Sequence, residues 1–554
     1  MTKAMQRTWW KESVVYQIYP RSFNDSNNDG IGDIPGIINK LDYIKSLGVD
    51  IIWVCPIYKS PNDDNGYDIS DYRDIMDEFG SMADFDRLLK GVHDREMKLV
   101  MDLVPNHTSD EHFWFRESRK SKDNPYRDYY YWKPAKNGQP PNNWPSFFGG
   151  SVWKYDPVTE EYYLHLFSKK QPDLNWENPK VRQEMYDVMK FWFDKGIDGF
   201  RMDVVSLLSK RTDFPDSDIK DFNTIINRYY ANGPRVHEFL KEMHREVLAN
   251  YDIMTVGEGP GIDLEHGINY VEESGKELNM IFHFGHMFMD NGPGGKYDPV
   301  EWNLVDFKNV FTAWDEKLKG KGWGSIFLGN HDFPRIVSRF GNDKAYWKQS
   351  AKLLATLLLS MRGTTYIYQG DEIGMTNVAH LSIDDYRDIE TLNSWKEAEA
   401  AGKPMDDFMK LVHLQSRDNA RTPMQWNATK HGGFSPVEPW LKVNPNHKDI
   451  NVEAQQYDED SILSYYRKMI AFRKEHPTLI YGDYKCLLKD DPNIYAYERF
   501  DSDGHFLVVL NFSDNEQSFT EKVGNSLELQ MNNHQSVNET AVMRPWEAKL
   551  FKVK

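Results

Sequence analysis

Residues 179–204, PKVRQEMYDVMKFWFDKGIDGFRMDV, hold the pattern on which the fold turns. In 179–195 apolar side chains recur three and four apart, the period of a helix with one buried face. After a short turn, 199–204 reads Gly-Phe-Arg-Met-Asp-Val, a largely apolar strand-like run interrupted by one arginine and one aspartate. A strand buried on both faces and next to an amphipathic helix indicates a parallel sheet with crossover helices. Similar apolar runs recur at 14–20, 49–56, 99–105, 253–258, 280–284, 324–332 and 364–370, with amphipathic stretches such as 37–47 and 82–95 between them. Eight such units predict an α/β fold of the (β/α)8 TIM-barrel class.

Two stretches break the alternation. Between the third and fourth runs, 108–172 shows little helical periodicity and many Pro, Asn, Gly and aromatic residues, which predicts a small inserted domain. After the eighth run, 375–451 is again irregular and polar, before an amphipathic segment at 461–476. From about 479 the pattern changes to alternating segments at 494–500, 505–512 and 548–553, which predict a C-terminal antiparallel β-sandwich. The expected domains are a barrel from 1–107 and 173–478, an insert at 108–172 and a sandwich at 479–554.

Composition excludes several classes. With 554 residues, 40% hydrophobic and 27% charged, the chain is a packed globular protein rather than a disordered one. Its net charge of −18, spread along the chain, argues against a nucleic-acid or anionic-membrane partner. No run is long and apolar enough to span a bilayer. The first thirteen residues carry Lys3, Arg7 and Lys11 without an apolar core, so no signal peptide is expected and the reading is cytoplasmic. Cys55 and Cys486 are too few and too far apart for a disulfide framework or a thiolate zinc site. Aromatic residues reach 14%, with clusters at 126–132 and 144–153 whose flat faces suit sugar rings as well as a core.

In a barrel of this class the chemistry lies at the C-terminal ends of the strands. Those ends carry Asp102 and His107, Arg201 and Asp203, Glu258, and His331 with Asp332. A buried acid needs a partner. One could be an ordinary ion pair, such as Asp203 with Arg201, but three at once are not explained by packing. Three carboxylates with flanking His and Arg, and no metal-type His cluster, fit cleavage of a glycosidic bond by a nucleophile, a general acid/base and a third group that orders the sugar. Arg201 beside Asp203 predicts that this carboxylate stays ionised. Glu258 lies between Gly257 and Gly259-Pro260-Gly261, a permissive backbone that lets a ligand come close.

The motifs Val15-Tyr16-Gln17-Ile18-Tyr19-Pro20, Asp102 to His107, Gly199 to Asp203, Gly257-Glu258, Asn330-His331-Asp332 and Tyr368-Gln369-Gly370-Asp371-Glu372 together resemble the α-amylase superfamily, within it the oligo-1,6-glucosidase and isomaltase group, over essentially the whole chain. The resemblance implies that Asp203 is the nucleophile, Glu258 the acid/base and Asp332 the residue that binds and distorts the ring, with the α configuration retained. It implies that Asp68 and Arg417, favoured over Arg421, grip the non-reducing end, and that Tyr67, His107, Phe167, Gln171, Arg201 and His331 line the pocket.

Two positions speak to linkage. The run Gln171-Pro172-Asp173-Leu174-Asn175 and Val204, directly after the nucleophile, resemble members that cleave α-1,6 bonds; a β-branched residue that merely suits a strand is the plainer reading of Val204. The chain departs from the group at Gly259 and Phe333, where Met and Gln are usual and face the leaving group. The charged Arg-Leu-Asp-Arg loop of the related sucrose isomerases has no counterpart in Asn342-Asp343-Lys344-Ala345-Tyr346-Trp347, so isomerisation is not implied.

Asp25, Asn27, Asp29 and Asp33 alternate around Gly30, with Ile31 offering a carbonyl, a calcium-loop spacing without the closing Glu of an EF-hand. The resemblance supports a structural Ca2+ there and no organic cofactor. The expected activity is a retaining exo-α-glucosidase on short, preferentially α-1,6-linked glucosides. The alternatives are glucosyl transfer or a preference for α-1,4 or sucrose-type substrates and, more remotely, a non-catalytic transporter-associated relative. The expected partner is a small oligosaccharide, with neither nucleic acid nor membrane, and the chain a monomer or weak homo-oligomer.

Overall fold

The computed structural model describes residues 7–520, 523, 526–536 and 541–554; Lys3 lies outside the described residues. Eight parallel strands form one sheet: β1 (Val14–Ile18), β2 (Ile51–Val54), β3 (Lys98–Leu103), β4 (Gly199–Met202), β5 (Met254–Gly259), β6 (Met280–His283), β7 (Ser325–Ile326) and β8 (Thr364–Tyr368). Their order is β6-β5-β4-β3-β2-β1-β8-β7, which curls the first and last strands together. That seam is spanned by Ser325 Oγ donating to Ile281 O at 2.6 Å. β7 is far shorter than the run 324–332 suggested. The chain leaves the ladder after Ile326 and continues irregularly, with Asp332 N donating to Asn330 Oδ1 at 2.8 Å.

Capped helices pack outside the strands. Helix Pro179–Lys195 begins at Asn178, whose side chain accepts from Lys180 N, and stops at Gly196, held at φ +105°. Its buried face carries Val181, Met185, Met189 and Trp192, and Trp192 Nε1 donates to Tyr72 O at 2.8 Å. Removing the Trp192 side chain would cost about 3–5 kcal/mol through lost burial and the cavity left behind.

The segment 108–172 contains helix Phe113–Ser118 and a three-stranded antiparallel sheet of Trp132–Lys133, Glu161–Leu164 and Trp153–Asp156. Most of its aromatics are core, the plainer of the two readings of those clusters. Trp144 and Trp153 pack on Phe214, and Trp144 stacks on Tyr229. At its base the buried Lys210 ammonium meets Asp173 Oδ2 at 2.8 Å and Asn106 Oδ1 at 3.1 Å.

The stretch 375–451 is not simply irregular: it holds helices Ile389–Ala400 and Met405–Gln415. The first buries only Thr391 and Ala398, so its sequence shows almost no apolar stripe. Beyond helix Ile462–Glu475, strands β9 (Asp483–Leu487), β10 (Ile494–Phe500), β11 (His505–Asn511), β12 (Leu527–Asn532) and β13 (Ala548–Val553) form an antiparallel sheet in the order β9-β10-β11-β13-β12. One face, with Tyr495, Tyr497 and Val508, joins the barrel core; the other, with Ile494, Ala496 and Leu507, packs on Phe519 and Met543 beside the small pair Gln517–Ser518 and Val542–Met543. At the junction two fully buried arginines bond only backbone carbonyls: Arg473 those of Leu359, Met361, Gly363 and Leu479, and Arg499 those of Ser360, Thr478, Leu479, Gly482 and Asp483.

Candidate active site

Adjacent strand ends gather the first group. Pairing of β3 with β4 sets Asp102 beside Arg201, and pairing of β4 with β5 brings Glu258 alongside. The Arg201 guanidinium, fully buried, is shared by three carboxylates: Nη1 lies 2.9 Å from Asp102 Oδ1 and 2.8 Å from Asp203 Oδ1, and Nη2 lies 2.7 Å from Glu258 Oε2. One cation cannot neutralise three acids. Burial pushes Asp203 well up, and the charges of Glu258 and Asp102 add to this against the pull of Arg201. The pull of Arg201, expected to keep Asp203 ionised, is therefore opposed by burial and by two neighbouring carboxylates. Burial also raises Asp102 to about 6, although Arg201 opposes it and Trp53 and Tyr67 donate to its carboxylate.

Val204 lies outside β4, at φ +37°. A β-branched residue in the left-handed region is strained, so the plainer reading, a residue that suits a strand, does not hold. The turn directs Val204 N towards Glu258 Oε2 at 3.3 Å.

A second group surrounds Asp332. Its Oδ1 receives Arg421 Nη2 at 2.7 Å and Arg417 Nη1 at 3.3 Å, and its Oδ2 lies 3.4 Å from His331 Nε2. Although burial pushes the Asp332 carboxyl up, His331 and the two guanidiniums outweigh it and hold it well below the usual range. Arg417 continues to Asp64 Oδ1 at 3.1 Å and Asp388 Oδ1 at 2.7 Å. The partner of Arg417 is thus Asp64, and the assignment of Asp68 to that role is corrected. Asp68 spends both oxygens inside its own loop, on Ser60 Oγ and the N–H groups of Asp63 and Asp64.

The other expected residues converge here. Gln171 Nε2 donates to Asp64 Oδ2 at 3.1 Å. Tyr67 stacks on His331 with centroids 5.2 Å apart, and His107 packs on Phe167 at 5.1 Å. Burial keeps both histidines neutral, His107 pushed down to about 4 and His331 to about 3.

A cavity of about 810 Å³ opens over these groups, lined by Glu258, Asp332, Val204, Phe167 and Arg417. Asp203, Tyr67, His107, Gln171, Arg201 and His331 are buried and do not border it. Residues without a sequence motif complete the wall. Lys296 Nζ meets Glu390 Oε2 at 2.6 Å, and Phe148 stands 4.9 Å from the Arg417 guanidinium. Phe333 joins the wall beside Phe284 and Phe288. Gly259 does not line it; a Cβ there would come 2.5 Å from Ile262 Cδ1, so Ile262 already fills that space. The segment 342–347 also stays off the cavity, whereas the hairpin of Asn291–Gly292 and Gly295–Pro299 borders it.

The loop of Asp25, Asn27, Asp29, Ile31 and Asp33 is remote from this cavity. Asp25 accepts from the N–H groups of Asn27, Asn28 and Gly30 and from Ser435 Oγ, and Asp33 caps a helix through Gly36 N. Among the described residues no three His, Cys, Asp or Glu side chains cluster as a metal site. Cys55 and Cys486 are both free and buried, and no helix is long and apolar enough to cross a membrane.

Comparison with known proteins gives a match to the alpha-amylase catalytic-domain model over residues 17–482. An oligo-1,6-glucosidase of Parageobacillus thermoglucosidasius is 58% identical over 99% of this chain and 100% of its own length. Another from Halalkalibacterium halodurans is 55% identical over 99% of each. Among solved structures, a mutant isomaltulose synthase of Erwinia rhapontici NX5, in complex with its natural substrate sucrose, superimposes with a TM-score of 0.95. It is 46% identical and the match covers 99% of this chain and all of that one.

Proposed function

Because this chain belongs to the alpha-amylase catalytic-domain family and is a glycoside hydrolase, we propose that it is a retaining, exo-acting α-glucosidase that removes glucose from the non-reducing end of short, preferentially α-1,6-linked glucosides. The observation that carries this reading is the shared Arg201 guanidinium, which holds Asp203 and Glu258 on one cation at the base of the cavity.

In the first step Asp203 attacks the anomeric carbon while the bond to the leaving oxygen breaks and that oxygen takes a proton from Glu258. In the second, Glu258 removes a proton from water, the water oxygen attacks the same carbon, and Asp203 leaves. Two inversions retain the α configuration. Glu258 must carry a proton when the bond breaks, while Asp203, 2.8 Å from Arg201 Nη1, must be an anion. Asp332, kept ionised beside the Arg417 and Arg421 guanidiniums, offers negative charge to the ring as it becomes cationic.

The closure behind the first sugar is supported by Arg417, which lines the cavity and bonds Asp64, Asp388 and Asp332 together. The preference for α-1,6 bonds is supported by Val204, which follows the nucleophile and lines the cavity with Glu258.

A structural calcium ion at the loop 25–33 belongs to the same reading. The donor chemistry supports it: Asp25, Asn27, Asp29, Asp33 and the Ile31 carbonyl offer only hard oxygen atoms. The ion would stiffen the loop after β1, and no step of the reaction passes through it.

The testing experiment measures initial rates on isomaltose, panose, maltose and sucrose, with the products and the anomer of the released glucose identified. Fastest release from isomaltose and panose, as α-glucose, is the expected result. Conversion of sucrose to an isomeric disaccharide would replace hydrolysis with transfer within the molecule. No reaction on any of the four would overturn the proposal.

A further inference from the structure

Gln17 stands on β1, laddered to Trp53 on one side and Tyr368 on the other, and its side chain is buried. An amide kept from water costs free energy unless its N–H groups are engaged, so a residue serving only to pack would be apolar here. Its Nε2 lies 2.8 Å from His331 Nδ1 and 3.3 Å from Cys55 Sγ. The first of these contacts reaches the neighbour of Asp332 from 314 positions away in the chain.

The His331 ring is fully buried, and Tyr67 and Tyr19 both stack on it, with centroids 5.2 and 5.8 Å away. Stacking fixes the plane of the ring but leaves open which nitrogen carries the proton. Burial keeps the ring neutral, so one nitrogen donates and the other accepts. Nε2 lies 3.4 Å from Asp332 Oδ2, in a carboxylate anchored through Oδ1 by Arg421 and Arg417. A proton on Nε2 turns an N–H dipole towards that anion, whereas a proton on Nδ1 would turn a lone pair towards it. The amide of Gln17 selects the same form, because an N–H aimed at Nδ1 needs a lone pair there. Nε2 makes no hydrogen bond among the described residues and stands against the carboxylate as an electrostatic contact.

We propose that Gln17 is a positioning residue for the reaction: by donating to Nδ1 it fixes His331 in the form that presents Nε2–H to Asp332 Oδ2. The two oxygens of Asp332 are then held by different groups, Oδ1 by arginines and Oδ2 by the imidazole, which keeps the carboxylate from turning as the sugar ring becomes cationic. The proposal rests on the α-glucosidase reading above, in which Asp332 serves that ring. Gln17 acts only through His331.

The test is a double-mutant cycle read as kcat/KM on p-nitrophenyl α-glucoside, with Gln17→Met, His331→Ala and the two combined. Methionine is an unbranched side chain of similar length that has no N–H to donate. Gln17→Met should lose about 10- to 100-fold, mainly in kcat, in the native background, and close to nothing when residue 331 is already alanine. A merely structural role imposes the same loss in both backgrounds; that result, or full activity in Gln17→Met, would overturn the proposal. Nitrogen-15 NMR of the native chain labelled at histidine needs no variant of Gln17 to fold, His331 being assigned as the signals missing from His331→Ala. An unprotonated Nδ1 is expected, and a protonated one sinks the proposal. A native chain inactive on the glucoside would remove the α-glucosidase reading and this proposal with it, a failure distinct from an uncoupled cycle.

Discussion

Arg417 Nη2 and Asp64 Oδ1 lie 3.1 Å apart although 353 positions separate them in the chain. The contact joins the loop after β2 to the stretch before helix Asp418–Arg421, and so ties the cavity-lining Arg417 to the far side of the barrel sequence. Gln171 holds the other Asp64 oxygen, which fixes the carboxylate between an arginine and an amide.

This contact predicts a pH dependence. Burial pushes Asp64 up to about 6 despite Arg417 and Arg421, so the carboxylate is charged above that pH and neutral below it. As pH falls through about 6 the ion pair is lost, and kcat/KM for isomaltose should fall through a rise in KM. Asp64→Asn should raise KM by about 10- to 100-fold, the loss of a charge-assisted hydrogen bond, and flatten that acidic limb. Kinetics from pH 4.5 to 8 check this; an unchanged limb in the variant assigns it elsewhere.

The division of roles between the two carboxylates held by Arg201 predicts different fates for them. Glu258→Gln should lose about 10²- to 10⁴-fold on isomaltose, the usual contribution of a general acid, and much less on p-nitrophenyl α-glucoside, whose leaving group needs no proton. Asp203→Asn should be inactive on both. Equal losses on both substrates for Glu258→Gln would remove it from the acid role.

The loop 25–33 predicts a metal-linked stability. At a hundredfold excess over its dissociation constant, calcium should raise the melting temperature by about 2 °C in a chain of this size, and EDTA should reverse the change. Asp29→Ala should abolish the response. A melting temperature indifferent to calcium and EDTA in the native chain counts against the ion.

The arginines at the domain junction predict a large structural effect far from the cavity. Arg473 serves four carbonyls, three of them at the end of helix Trp347–Ser360 and the turn after it, so Arg473→Met leaves buried acceptors without donors. The expected cost is about 2–4 kcal/mol, read as a lower urea midpoint with kcat of the folded fraction unchanged.

What the sequence made legible followed from burial. All eight barrel strands could be read because apolar residues crowd them, and the carboxylates stood out because acids rarely end such runs. Helix Ile389–Ala400 was hidden because it buries almost nothing on either face. Asp64 was passed over for Asp68 because both lie in the run Asp63-Asp64-Asn65-Gly66-Tyr67-Asp68, and only the turn geometry decides which points inward. Lys296 and Glu390 meet across 94 positions with no motif to announce them. The left-handed backbone at Val204 was likewise illegible, since nothing in a valine signals a positive φ.

The seam between β6 and β7 is crossed by side chains, Ser325 to Ile281 and His286 to Phe327, where every other neighbouring pair of described barrel strands shares a backbone ladder, and this gives the protein an uneven tolerance for change. Loops that line the cavity, the hairpin after β6 and the Phe333 segment after β7, hang from the two strands on either side of that join. Exchanging or lengthening them disturbs few backbone hydrogen bonds, while the strands that carry Asp102, Asp203 and Glu258 stay laced to their neighbours. A scaffold of this kind can acquire a new preference for what is cut away without losing its hold on the sugar that is kept.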